Sequence, residues 1–423
     1  MSLTRNQIFI LLILVGLASG SGFYVGHSLL KPSQIGPFLG IFFLPFGLAK
    51  DRLKYDRLAL WIVLYIFLAA FYNLPSLIKD QLIDLGFIFS TFMVYIAAVL
   101  SARAIYKGDK FPAKATLILF ATLFVLYVYQ VLTETYFILG SDEEKFYSTT
   151  FNNANDMNSF VVAFIPLILY FLQLWNPSKL VTALVCITIA GWVVVMGSRF
   201  CILAIFIIPL MYLIFSASYI WKLILLSGTG FIGVLLSQVN WASLLEAIAT
   251  VENPVISRSA SRLYLFLYNF EDDKSSSYRL DSYLYAINHA DDAIFGTGTK
   301  NYDDFFEEGF GADTLVAYAP HSYLSENMIA FGWFGLALVL SMMVTCLSSF
   351  IKDSTYRFYG FTTLLLFFMV SFVPSTVIRL PILWFPLFFF THLANQSIAE
   401  RNAFSWSWDD SETDVAGAYE EAY

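Results

Sequence analysis

The chain has 423 residues, of which 58% are hydrophobic and 13% are charged. Soluble domains carry about 25% charged residues, so this composition excludes an ordinary water-soluble fold and predicts a protein embedded in lipid. The net charge of −8 is unevenly distributed, because residues 238–320 hold 13 acidic and 5 basic side chains and residues 400–423 hold 7 and 1. An acidic loop and an acidic tail argue against nucleic acid as a partner.

Apolar stretches of bilayer-spanning length recur along the chain. They predict an all-α integral membrane protein with about twelve transmembrane helices. The stretches are 7–27, 36–49, 58–74, 83–101, 114–132, 159–175, 180–197, 200–218, 220–238, 323–350, 358–373 and 380–395.

Basic residues predict the orientation of these spans. The stretch 36–49 is short, but without it the basic clusters at 50–57 and 103–114 would lie on opposite sides of the membrane. With the N-terminus in the cytoplasm, the basic residues of the short connections lie mostly inside, as the positive-inside rule requires. We therefore predict cytoplasmic termini, a single polytopic membrane domain at 1–398, and an acidic cytoplasmic tail at 399–423 that is disordered.

Two polar segments are predicted on the outer face. Residues 133–158 form an Asn-rich loop, and residues 239–320 form a large outer loop between spans nine and ten. Within the large loop, SYRLDSYLYAINHA at 277–290 is typical of a short amphipathic helix. Ser277 is its expected N-cap, and the following FGTGT predicts its end.

Motifs for bound cofactors are missing from the sequence. It contains no P-loop, HExxH, GxSxG, EF-hand or His/Cys cluster, and the GTG at 296–298 lacks the strand that precedes a nucleotide fingerprint. We therefore expect no cofactor and no metal site. Three cysteines lie in apolar runs and are interpreted as small hydrophobic residues: Cys186, Cys201 and Cys346.

Arginines on the predicted outer side are the first candidates for chemistry. Arg199 lies between two apolar spans with almost no loop, where it is either an interfacial anchor or a fixed cation for a phosphate. Arg379 begins the last span and is either a topology charge or a second cation. Arg258 and Arg262 are interpreted as surface ion pairs, whereas Arg279 lies on the aromatic face of the predicted loop helix.

His321 is the candidate general base, because it lies where the large loop returns to the membrane and its pKa is near neutral. The alternative is a plain interfacial histidine. On a helix it would start a stripe with Ser325, Met328, Gly332 and Gly335. Paired acids are more typical of solvated loop surface than of a catalytic dyad, and Glu326 is the one unusual acid. The other histidines are interpreted as structural: His27, His289 and His392.

Three motifs in this order resemble the O-antigen ligase and O-antigen polymerase superfamily. They are GSRF with Arg199, the outer loop with Arg279 and AIFGTGTKNYDDF, and HSYLSENMIAFGWFG beginning at His321. The H-x10-G spacing from His321 to Gly332 is that of the ligases, and FNNANDMNSF resembles an Asn-rich stretch of the family. The resemblance is strongest over about 150–340.

The resemblance implies a glycosyltransferase that acts on undecaprenyl-pyrophosphate-linked glycan at the outer face of the bacterial plasma membrane. Arg199 and Arg279 would bind the pyrophosphate, with Arg379 as a weaker candidate, and His321 would deprotonate the acceptor hydroxyl without a metal. The partners implied are the lipid-linked glycan, a glycan or lipid acceptor and membrane lipid. A flippase and a chain-length regulator are further candidate partners.

The subfamily stays open on motif grounds. The Arg-x15-Gly motif of the polymerases is not met, because Arg279 and Gly296 are separated by one residue too many, and the Arg-x3-Leu motif of the ligases is not met at Arg279. We favour an O-antigen, capsule or exopolysaccharide polymerase, whose loops vary more. A ligase that transfers glycan to lipid A-core or protein is the alternative. A lipid-linked glycan flippase is the rival of another class, but it would predict internal repeats with broken helices.

Overall fold

Helices form most of the part of the chain that the computed structural model describes. The described residues contain no strand, as expected for a chain that must satisfy its backbone hydrogen bonds inside lipid. These residues are 3–18, 32–43, 57–73, 82–133, 135, 149, 151, 154–175, 178–215, 222, 227, 238–252, 254–269, 274–292, 294–298, 322–374, 377–378 and 380–420.

The helices of the described residues are numbered here in chain order. They are α1 Arg5–Ala18, α2 Pro32–Phe42, α3 Arg57–Asn73, α4 Leu82–Tyr106, α5 Phe111–Thr133, α6 Ala154–Gln173, α7 Lys179–Met196, α8 Arg199–Ile205, α9 Ile207–Phe215, α10 Trp241–Ala249, α11 Pro254–Tyr268, α12 Lys274–Asn288, α13 Tyr323–Lys352, α14 Arg357–Val370 and α15 Trp384–Glu420. A 3₁₀ turn, Pro381–Leu383, precedes α15.

Membrane-spanning length is reached by five helices among the described residues. They are Phe89–Tyr106, Phe111–Thr133, Ala154–Gln173, Lys179–Met196 and Tyr323–Lys352. Shorter apolar helices occur at Arg5–Ala18, Arg57–Tyr72, Arg199–Phe215 and Arg357–Val370. This composition is that of an all-α multi-pass membrane protein, and the total of twelve spans stays a prediction. The predicted span at 220–238 falls almost entirely outside the described residues.

Aromatic side chains fill the centre of the bundle, where α15 packs against α4, α13 against α3, and α14 against α6. Trp384 is buried, with its ring centre 4.4 Å from Phe367 and 5.1 Å from Phe388. Phe164 on α6 stacks on Phe385 at 5.9 Å. The abundance of Phe in the sequence therefore serves dense packing between helices as well as contact with lipid.

Helix α13 is broken at Gly332, which has φ 67° and ψ −166°. The segment 294–298 lies in the break. The backbone N–H of Thr297 donates to Ile329 O at 2.7 Å, and the N–H of Gly298 donates to Ala330 O at 2.9 Å. These bonds satisfy carbonyls that a continuous helix would have bonded itself. The stripe expected along the whole helix is therefore interrupted, because Gly332 is the site of the break.

The described residues of the predicted outer loop contain three helices, α10 to α12. Helices α10 and α11 pack together, and a hydrogen bond to the Glu246 carboxylate raises the pKa of Tyr264 above its usual value. The predicted amphipathic helix is confirmed as α12, with Ala286 fully buried on its packed face. It starts at Lys274, so Ser277 lies inside the helix and is not its N-cap.

The last helix continues beyond the last predicted span. Helix α15 passes residue 399 and extends through the acidic segment, for which the composition predicted disorder, as far as Glu420. Arg401 on this helix donates to the buried Asp353 at 2.8 Å. The division into a membrane domain and a tail stays a prediction.

Candidate active site

Arg199 lies at a break between two apolar helices. Helix α7 ends at Met196, and Gly197 has φ 72°, a left-handed conformation that costs glycine no steric strain. A side chain at Gly197 would also come within 2.9 Å of Ser259 Oγ on α11. Ser198 is extended and α8 begins at Arg199. The short connection that the sequence predicted is confirmed at two residues.

Helix α11 crosses this break and holds Arg199 in place. The Ser259 hydroxyl donates to a carbonyl of α7 at 3.0 Å, and Arg199 Nε donates to the Arg262 carbonyl at 3.0 Å. The Arg199 guanidinium carbon is 5.9 Å from the ring centre of Phe266. Ser259, Arg262 and Phe266 share one helix face, at i, i+3 and i+7. One stripe of α11 therefore docks on Arg199, the residue that the sequence singled out.

Three arginines from three elements meet at a small polar cavity, here called the arginine cavity. Its volume is about 50 Å³, enough for about three or four water-sized groups. No carboxylate side chain is among the described residues that line it, so guanidinium, amide and hydroxyl donors dominate. The lining residues are Asn155, Gly197, Ser198, Arg199, Phe200, Arg262 and Arg279.

Two residues that line the cavity were predicted site residues, and three other polar lining residues were not. Arg199 and Arg279 are brought together across 80 positions of sequence. Arg262, interpreted as a surface ion pair, lines the same cavity. Asn155 and Ser198 were also missed. Asn155 belongs to the FNNANDMNSF stretch, and the spacing of Ser259, Arg262 and Phe266 could have indicated the docking face of α11.

The connection after α14 lies against two elements of the arginine cavity. The Phe372 ring stacks on Phe200 at 6.4 Å and makes an edge contact with Tyr283 at 5.8 Å. Phe200 adjoins Arg199, and Tyr283 lies one turn beyond Arg279 on α12. The start of the connection between α14 and α15 therefore packs against the neighbours of Arg199 and Arg279.

Glu326 anchors the end of that connection. It is only 1% exposed, and its Oε2 accepts the backbone N–H groups of Val377 at 2.7 Å and Ile378 at 3.0 Å. A carboxylate that accepts adjacent backbone donors fixes their orientation. The next residue in the chain is Arg379, which lies outside the described residues.

The first turn of α13 is fixed by a buried polar network. Tyr65 OH donates to Asn327 Oδ1 at 2.6 Å, Asn327 Nδ2 donates to Tyr323 O at 2.7 Å, and Trp384 Nε1 donates to Tyr323 OH at 3.2 Å. His321 precedes this turn by two residues and lies outside the described residues. Its proximity to the arginine cavity stays a prediction.

The remaining candidate groups are the three cysteines and any cluster of side chains that could hold a metal ion. Cys186, Cys201 and Cys346 are free thiols, the last two buried. Within the described residues, no three His, Cys, Asp or Glu side chains are grouped closely enough to hold a metal ion.

A comparison with known families gives a match to the segment that contains the three arginines of the cavity, whereas Asn155 lies outside it. Residues 184–340 match the family model described as O-Antigen ligase. The matched segment includes Arg199, Arg262, Arg279 and His321, whereas Arg379 lies beyond it. A comparison with curated proteins gave no match. The family match confirms the resemblance drawn from the motifs and supports placing the chain in the O-antigen ligase and polymerase superfamily.

Proposed function

We propose that this protein transfers glycan from undecaprenyl pyrophosphate to a sugar acceptor at the outer face of the bacterial plasma membrane. The family match indicates ligase-like or polymerase-like activity, and thus a lipid-linked glycan and an acceptor as substrates. The observation that carries the donor assignment is the arginine cavity. Its three guanidinium groups suit a polyanionic leaving group at a membrane surface.

In this proposal the arginines stabilise the charge that develops on pyrophosphate. The acceptor hydroxyl oxygen attacks the anomeric carbon, the bond from that carbon to the pyrophosphate oxygen breaks, and the configuration inverts. Arg199 and Arg279, together with Arg262, neutralise the departing oxygens. The hydroxyl proton passes to the His321 imidazole, and Arg379 is a further contact for the phosphates.

The first test is the fate of lipid-linked glycan in cells that carry His321→Ala or Arg279→Ala. We expect each variant to accumulate the lipid-linked intermediate and to lose surface polymer, because the base or a pyrophosphate contact is missing. His289→Ala is the matched control, since His289 lies in the same loop and stacks on Tyr285 at 3.9 Å. Normal surface polymer in both test variants would contradict the mechanism.

Arg262→Ala tests the cavity separately from the fold. The substitution keeps the main-chain carbonyl that accepts from Arg199 and removes the side chain beyond Cβ, including the guanidinium. A charge-assisted bond to phosphate contributes about 1.5–3 kcal/mol, so we expect the transfer efficiency of purified protein to fall by about tenfold or more. Leu267→Ala, on an exposed part of α11, should leave it unchanged. Equal rates in both variants would remove Arg262 from the site.

Polymerase and ligase differ in the product that a null strain leaves. We favour the polymerase, whose loss leaves single glycan units on the final acceptor. Loss of a ligase leaves no glycan there. A transporter requires two compartments, so transfer of glycan by the purified protein in detergent would exclude the flippase alternative.

A further inference from the structure

A second cavity, of about 480 Å³, lies far from the arginine cavity. Helix α6 connects the two, because Asn155 lines the arginine cavity and Gln173 lines the second one. These residues are 18 positions apart on one helix, a rise of about 27 Å. That distance is close to the thickness of the hydrocarbon core of a bilayer. The second cavity therefore lies at the opposite membrane surface.

The lining of the second cavity, here called the Arg357 cavity, has a polar side and an aromatic side. Amide, hydroxyl and guanidinium donors come from the end of α6 and the start of α14, and apolar and aromatic side chains come from α9 and α14. The lining residues are Gln173, Tyr212, Ile214, Phe215, Ser354, Thr355, Arg357, Phe358 and Tyr359. A ligand that fits this lining has an anionic, hydrogen-bonding part and an apolar part.

Arg357 supplies the positive charge. Its Nη2 donates to Ile351 O at 2.9 Å, and its buried Nε makes no hydrogen bond to the described residues. A second cation lies close by, because Lys222 Nζ is 3.2 Å from the Ile214 carbonyl. Helix α14 starts at Arg357, so the positive end of its dipole is directed toward the cavity. These charges favour an anion.

The carboxylate closest to Arg357 in sequence does not cancel this charge. Asp353 is fully buried and does not line the cavity. Its oxygens accept from Arg401 at 2.8 Å, from Ser397 Oγ at 2.9 Å and from the backbone N–H of Tyr356 at 2.7 Å. Asp353 is thus already paired, and the positive charge of Arg357 is available to a ligand.

The aromatic side of the Arg357 cavity is partly exposed. Ile214 is 49% exposed and Tyr212 47% exposed, and both lie on the apolar helix α9, a surface composition suited to contact with lipid. A phospholipid whose phosphate lies at Arg357 would therefore place its hydrocarbon chains along α9. We propose that the Arg357 cavity binds the phosphodiester headgroup of an anionic phospholipid, at the membrane surface opposite the arginine cavity.

The test measures lipid retention by the purified full-length chain with native mass spectrometry. The probes are phosphatidylglycerol and phosphatidylcholine with identical acyl chains. We expect preferential retention of phosphatidylglycerol, and a loss of about tenfold in that preference in Arg357→Gln. Arg57→Gln is the matched control. Arg57 is exposed at the start of α3, and the nearby Trp61 donates to Thr345 near the end of α13, so it lies at the same membrane surface.

Two further measurements test the proposal. Phosphatidylglycerol should raise the melting temperature of the wild-type protein more than phosphatidylcholine does, and Arg357→Lys should retain an intermediate preference. Equal retention of both lipids by the wild type, or an unchanged preference in Arg357→Gln, would overturn the proposal. Displacement of the lipid by inorganic phosphate at equal concentration would also overturn it, because the site would then recognise a free anion.

Discussion

At the scale of single residues, Glu326 connects two segments that the proposed chemistry needs. Its carboxylate lies on the helix that follows His321 and accepts the backbone N–H groups of Val377 and Ile378, next to Arg379. One buried side chain thus sets the position of its own helix relative to a chain segment whose two bonded residues are 51 and 52 positions away. We interpret Glu326 as a positioning residue, without contact to substrate.

Glu326→Ala should destabilise the protein by about 2–4 kcal/mol, because it leaves two buried backbone donors without their acceptor. Glu326→Gln keeps an acceptor oxygen of similar reach and should cost less. The measurement is the melting temperature in detergent, together with the rate of glycan transfer. Glu252→Ala, at an exposed position between α10 and α11, should change neither. Equal melting temperatures for Glu326→Ala and the wild type would show that these two bonds do not contribute to stability.

The candidate site shows what residue patterns can and cannot predict. Arg199 was identified because an arginine between two apolar spans is costly unless it has a task. Arg262 was not, because its neighbours in sequence include many acids and a surface ion pair was the simpler interpretation. Arg262 lines the cavity because α11 docks across the break between α7 and α8, and this docking is a tertiary contact. Local sequence does not encode such a contact in a readable pattern.

At the scale of elements, the break in α13 explains a motif that the sequence showed only as spacing. The glycine that closes H-x10-G is Gly332, and the IFGTG segment at 294–298 docks on it. A side chain at Gly296 would come within 2.5 Å of Gly332 N, and one at Gly332 would collide with Ile294 O. Two glycines therefore let two backbones meet. The sequence predicted a continuous span here because apolar periodicity does not report on such a junction.

Gly332→Ala should destabilise the protein strongly. The backbone angles at Gly332 belong to a region that essentially only glycine populates, which costs about 1–3 kcal/mol for another residue, and the collision with Ile294 adds to this. We expect a clear fall in melting temperature in detergent and reduced yield of folded protein. The matched control is Gly191→Ala in α7, where an added Cβ would meet nothing within 4 Å. A melting temperature of Gly332→Ala equal to that of the control would contradict the junction.

At the scale of the whole molecule, the two cavities give the bundle two chemically different ends. Helix α6 runs from the arginine cavity to the Arg357 cavity, and Lys110 Nζ donates to Leu174 O just past the end of α6. The α4 to α5 connection therefore lies at the same end as the Arg357 cavity. Composition predicted an all-α membrane protein because that class depends on apolar content. The two cavities could not be predicted, since each is assembled from helices that are distant in sequence.

The predicted orientation can be tested with cysteines at opposite ends of the bundle. In a background without the three native cysteines, Glu252→Cys marks the end with α10 and α11, and Lys107→Cys marks the α4 to α5 connection; both positions are exposed. If the arginine cavity faces outward, as the charge bias predicts, a membrane-impermeant thiol reagent should label Glu252→Cys in intact cells. It should label Lys107→Cys only after permeabilisation. The reverse pattern would place the arginine cavity on the cytoplasmic side, where it could not meet a donor that is used at the outer face.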